Sequence, residues 1–141
     1  MFLLRGLINA KDNDGTTPLH DAAGGNSNVE VLKYLVSQGA KVTARNNDGF
    51  TPLHHAAGGN CNIEVLKYLV SKGADVNAKA NSGKTPLHCA VISNKIKSVK
   101  FLVFNAANVN AKDDGNATTL HLANAQKAVA MARYLSSVGA R

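Results

Sequence analysis

The sequence predicts an all-α repeat solenoid: stacked helix-turn-helix units joined by short hairpin arms. Three observations carry this. The phrase Thr17-Pro18-Leu19-His20 returns as Thr51-Pro52-Leu53-His54, Thr85-Pro86-Leu87-His88 and Thr118-Thr119-Leu120-His121, with the threonines 34, 34 and 33 residues apart. A fixed period in that range marks a stacked-repeat protein. Each copy is followed by a second apolar segment with helical spacing, and no single unit has enough apolar surface to close a core without its neighbours.

Within one unit, each element has a local cause. In the second unit Thr51 is an N-cap, its hydroxyl placed to accept from a free amide of the first turn. Pro52 takes the first helical position, where its missing donor costs nothing. Leu53, Ala56 and Ala57 give the first helix a small apolar face that a neighbour can approach closely, and Gly58-Gly59-Asn60 is expected to stop it. Asn62 caps a second helix through Ile63, Val65, Leu66, Leu69 and Val70, a wide stripe suited to packing on two sides. Gly73 ends that helix in a left-handed conformation. Val76-Asn77-Ala78 and Asn81-Ser82-Gly83 then read as an extended arm turning into the next unit.

The other units follow this plan with local departures. Residues 1–10 read as the tail of a preceding unit, because Ile8-Asn9-Ala10 matches Val76-Asn77-Ala78. Residues 11–141 then form one domain of four units, about 9–42, 43–76, 77–109 and 110–141. Units one and two carry one extra residue between their helices, in Gly24-Gly25-Asn26-Ser27-Asn28 and its copy around Cys61. In unit four Thr119 replaces the proline, and Asn116 replaces the turn glycine as the next-best residue for a left-handed turn. Ala132 and Ser136 stand where unit one has Leu32 and Val36, the shrinkage expected of a terminal cap.

Composition narrows the function classes. No apolar run reaches the length of a membrane span, and Met1-Phe2-Leu3-Leu4, interrupted by Arg5, is too short for a signal-peptide core. Cys61 and Cys89 stand in unlike contexts and read as free thiols of a reducing, cytoplasmic or otherwise intracellular compartment. A net charge of +7 favours an acidic partner.

Gly-x-Thr-Pro-Leu-His-x-Ala, followed by a second helix and Gly-Ala-x-Val-Asn-Ala, resembles the ankyrin repeat from about Leu7 to Ala140. Unit one shows it in Gly15, Thr17 to His20, Ala22, Ala23, Gly39, Ala40 and Val42. Unit three shows it in Gly83, Thr85 to His88, Ala90, Ala107, Val109, Asn110 and Ala111. The resemblance implies that His20, His54, His88 and His121 hydrogen-bond backbone between units. A metal ladder is excluded by spacing, since stacked helices lie roughly 8–10 Å apart and ligands must come within about 2 Å of the ion. His55 lies off this column and is expected at the surface.

No phosphate loop, acid–base carboxylate pair or Cys/His nucleophile stands at usable spacing, and Cys89 and His88, adjacent on a helix, diverge. The expectation is therefore a non-catalytic, cofactor-free, monomeric module that binds another protein. Nucleic acid and membrane are not expected as partners. The resemblance implies a concave binding surface of arm tips and first helices. In unit one it comprises Asn13, Asp14, Thr16 and Asp21, and in unit two Asn47, Asp48, Phe50 and His55. Unit three adds Asn81, Ser82, Lys84, Cys89 and Ile92, and unit four Asp114, Ala117 and Leu122. These columns vary while the core repeats: Thr16 becomes Phe50, and Asp21 becomes His55. Phe50 is the leading anchor, since a turn tip is a poor place for a core aromatic.

A second signal is basic. Lys33, Lys67, Lys100 and Arg133 share one column, each followed by an aromatic, Tyr34, Tyr68, Phe101 and Tyr134, expected in or beside the core. Glu30 and Glu64 precede their lysines by three residues, whereas unit three has Lys97 there. Lys95 and Lys97 at a helix N-terminus oppose its dipole, so Lys95, Lys97 and Lys100 form the rival candidate, a site for an anionic ligand, nucleic acid or acidic lipid. A regulatory or targeting fragment of a larger protein is the other alternative.

Overall fold

The structure, a computed structural model, describes residues 7–25, 28–59 and 62–141. Eight helices form four antiparallel pairs among these residues: α1 (Pro18–Gly24) with α2 (Val29–Ser37), α3 (Pro52–Gly59) with α4 (Ile63–Ser71), α5 (Pro86–Ile92) with α6 (Ile96–Phe104), and α7 (Thr119–Ala125) with α8 (Val129–Ser137). The odd-numbered helices stack side by side in one layer and the even-numbered ones in a second. Leu19, Leu53 and Leu87 from the first layer and Leu32, Leu66 and Leu102 from the second are fully buried between them. Alanines at 23, 56, 57 and 90, fully buried, let the first helices approach closely.

The caps arise as the local chemistry requires. Thr17, Thr85 and Thr118 each complete a reciprocal capping box with the histidine three residues on. Asn28 and Asn62 cap α2 and α4 through Glu30 and Glu64 amides. Gly73 closes α4 at φ 97°, and unit three repeats the left-handed turn with Ala106 at φ 71°, a conformation in which a Cβ is strained. Asn116 takes its turn at φ 63°. The hydroxyl of Thr119, fully buried in the proline position, donates to the carbonyl of Val109 at 3.1 Å.

Several expectations change. α3 continues through Gly58 and Gly59 rather than stopping before them, and α1 likewise includes Gly24. The arms are successive turns without strand pairing among the described residues, each neighbouring pair of tips joined by a single backbone–backbone bond such as Asn81 N–H to Asp48 carbonyl at 2.9 Å. Tyr34 is 50% exposed instead of semi-buried; Tyr68, Phe101 and Tyr134 are half-buried. Cys61, Asn60 and the Asn26-Ser27 pair lie outside the described residues, as do residues 1–6. Of the segment read as a unit's tail, Ile8 is buried and Asn9 bonds the Gly39 carbonyl and the Lys41 amide; two and three units on, Asn77 and Asn110 make the equivalent bonds to Ala106 and Asn108 and to Gly139 and Arg141.

Candidate functional site

The histidine column fixes the spacing of the arms. In His20, His54 and His88 the backbone N–H of the capping threonine donates to Nδ1 at 3.1–3.2 Å. Nε2 therefore carries the proton, and it donates to the carbonyls of Phe50, Lys84 and Ala117 in the next unit at 2.8, 2.9 and 2.9 Å. Burial lowers all three pKa values, that of His54 from 6.5 to about 4. Neutral imidazoles are thus the working form. His121 departs from the expectation. It is exposed and keeps only its own threonine cap, because no described arm stands beyond it to offer a carbonyl.

This register sets Phe50, His55, Lys84, Cys89 and Ile92, expected separately from two units, around one cleft of about 330 Å³. Phe50 is half-buried. Its ring packs T-shaped against His54 at 5.3 Å and His55 at 6.4 Å, so it leans on the helix that follows it while still lining the cleft. His55 is half-buried rather than a surface residue, because the close first-helix layer stacks it 5.1 Å from His20; burial and the neighbouring His20 lower its pKa. Cys89 is a thiol, pushed up to about 11 by burial, and so is no nucleophile. Lys84 pairs with Asp113 across 3.6 Å. Two backbone amides, of Ala117 first and of Gly115, hold the Asp113 carboxyl below the usual carboxylate range. Ile92 is 41% exposed at the rim. The cleft carries no uncompensated charge.

Gly58, Gly59 and Ser93 complete the lining and escaped the sequence reading. A Cβ on Gly59 would stand 2.6 Å from the Gly24 carbonyl oxygen, so packing between α1 and α3 explains that glycine. A Cβ on Gly58 would meet only ordinary contacts, Cys89 Cβ at 3.4 Å and Ser93 Oγ at 3.7 Å. Nothing in the packing requires Gly58, and a helical glycine costs about 1 kcal/mol relative to alanine. What it does is leave the cleft open.

The remaining expected residues do not join this cleft. Asn47 and Asn81 donate their side-chain amides to the carbonyls of Asn13 and Asn47 at 2.9 and 3.0 Å, a tie between neighbouring tips. Asp14, Asp48 and Ser82 accept the next tip's backbone N–H through their carbonyls, and the buried Ser82 hydroxyl has no partner. Asn13, Asp21 and Asp114 are exposed, and Thr16, Ala117 and Leu122 are half-buried along the same layer. In the second layer Lys95 is the N-cap of α6, a residue whose ammonium cannot accept from the first-turn amides, while Lys97 and Lys100 are exposed. Glu30–Lys33 and Glu64–Lys67 pair at 3.3 and 3.2 Å as their spacing implies. Among the described residues no three His, Cys, Asp or Glu side chains gather as a metal site needs, and no helix is long and apolar enough to cross a membrane.

The sequence model of a family described as ankyrin repeats (3 copies) matches residues 1–80, 26–113 and 78–141, which together run the length of the chain. No curated protein matches it significantly.

Proposed function

Because the chain belongs to the ankyrin repeat family, whose members are in general protein–protein interaction modules, we propose that it is a non-catalytic binding module gripping a partner protein through its first-helix layer and arm tips. The observation that carries this is the cleft between units two and three, where Phe50 and Ile92 offer apolar surface around a floor that Gly58 leaves open. Its lining is neutral: imidazoles, a protonated thiol, and a lysine already paired with Asp113. The occupant that fits is an uncharged apolar side chain of the partner, an anchor of the kind that dominates interface energetics. The stack holds the lining at fixed spacing before the partner arrives, so little side-chain ordering opposes binding.

The test compares the parent chain with Phe50→Ala and Gly58→Ala variants as baits in nuclease-treated lysate. A protein retained by the parent and lost by both variants supports the reading. Retention of the same proteins by all three overturns the assignment of the cleft.

A further inference from the structure

The net charge of +7 is not spread along the chain. Residues 1–75 balance seven Lys and Arg with seven Asp and Glu, whereas residues 76–141 carry nine Lys and Arg against Asp113 and Asp114 alone. The whole excess lies in the second half, and part of it faces outward from the second layer. Neither α6 nor α8 contains an acidic residue.

Two departures from the repeat fall on one face of α6. Lys97 stands where units one and two have Glu30 and Glu64, and Phe104 stands where the other units have Ser37, Ser71 and Ser137. Those serines donate to the carbonyls of Tyr34, Tyr68 and Tyr134 and end their helices quietly. Phe104 instead is 89% exposed, the most exposed large apolar side chain of the described residues. Lys97, Lys100 and Phe104 are separated by three and four positions, so they share a helix face. Lys100 reaches over the Tyr134 ring on α8, 5.4 Å from its centroid, with Arg133 exposed beside it on that helix. Neither substitution helps the fold. A lysine in the first turn opposes the helix dipole, and an exposed phenylalanine buries nothing.

We propose that this face of α6, with Arg133 of α8, docks on an anionic membrane surface: Phe104 enters the headgroup layer while Lys97, Lys100 and Arg133 lie against lipid phosphates and carboxylates. A protruding ring on a face that also carries cations calls for a surface that is negatively charged throughout and yields around the ring, and a headgroup layer is both. Duplex nucleic acid would answer the lysines but gives the ring no apolar place. The contact is peripheral, so it needs no spanning helix. Lys95, half-buried at the N-cap, is not required. The contact is also independent of the cleft, on the other helix layer.

The experiment is co-sedimentation of the whole chain with vesicles of phosphatidylcholine alone and of phosphatidylcholine with phosphatidylserine. Phe104→Ser and Lys97→Glu each restore the residue that other units carry at that position, so both variants keep the fold. The expected result is weak binding that requires phosphatidylserine and falls with added salt. Phe104→Ser should reduce it roughly tenfold and Lys97→Glu severalfold, with Phe50→Ala unchanged. The proposal is overturned if phosphatidylserine gives no binding, or if Phe104→Ser binds like the parent. It is equally overturned if duplex DNA binds more tightly than the vesicles and is indifferent to Phe104→Ser, which would make the patch a nucleic-acid contact.

Discussion

Replacing His54 by alanine tests the histidine column most directly, with His121→Ala as its internal control. The His54 ring is 1% exposed, accepts from the Thr51 amide at 3.1 Å and donates to the Lys84 carbonyl at 2.9 Å. Truncation leaves the Thr51 amide buried without its acceptor, at about 1–3 kcal/mol, takes from the Lys84 carbonyl one of two donors while the Ala80 amide remains at 2.9 Å, and leaves a gap where the ring packed. Part of this is recovered if water enters, so the expected loss is about 3 kcal/mol. His121 has the same sequence context but is exposed and makes no bond to a further unit among the described residues. Its truncation should cost under about 1 kcal/mol, a single hydrogen bond. Urea unfolding followed by circular dichroism reads both. Because repeat arrays can lose cooperativity, the slope of each transition must match the parent's before midpoints are compared. Equal losses for the two variants would refute the idea that the bond between units, rather than the local cap, is what these histidines supply.

Since burial places the folded pKa values of His20, His54 and His88 below the ordinary value, the unfolded chain takes up more protons between them, so stability is complete above pH 6.5 and is lost as pH falls through the folded values. For His54, from 6.5 to about 4, this is about 3 kcal/mol once pH is below both values, measurable as a fall in urea midpoint between pH 7 and pH 4 that His54→Ala diminishes. Ala106→Gly should stabilise the chain by about 1 kcal/mol by relieving a left-handed alanine, seen as a higher thermal midpoint. Gly58→Ala should raise stability by about 1 kcal/mol through helix propensity while lowering partner binding, a split that simple damage cannot produce. Phe104→Ser should leave the thermal midpoint unchanged while weakening binding to phosphatidylserine vesicles.

The sequence by itself determined the architecture. Its punctuation is local: a capping Thr at each first-helix start, followed by Pro in three units, Asn at two second-helix starts, and Gly39, Gly73 and Gly139 at second-helix ends act within a turn or two of backbone, so their recurrence specifies the unit. It also marked Phe50, His55, Lys84 and Cys89 as variable positions, with Ile92 added by the family resemblance. Only the tertiary structure decided that these five meet, because they come from two units and their distance depends on how closely the first helices stack. It alone showed that Asn47 and Asn81 tie neighbouring tips together, and that Phe50 leans on its own histidines. Gly58 was the hardest to read. As a residue without a side chain it registers in sequence only as a helix breaker, and its effect is the space it leaves between Cys89 and Ser93 once the next unit is in place. His121 makes the same point from the other side: the Thr-x-Leu-His motif recurs in all four units, but the bond it makes belongs to the neighbour that supplies the carbonyl. A repeat encodes its own backbone; what its side chains do depends on the units stacked against it.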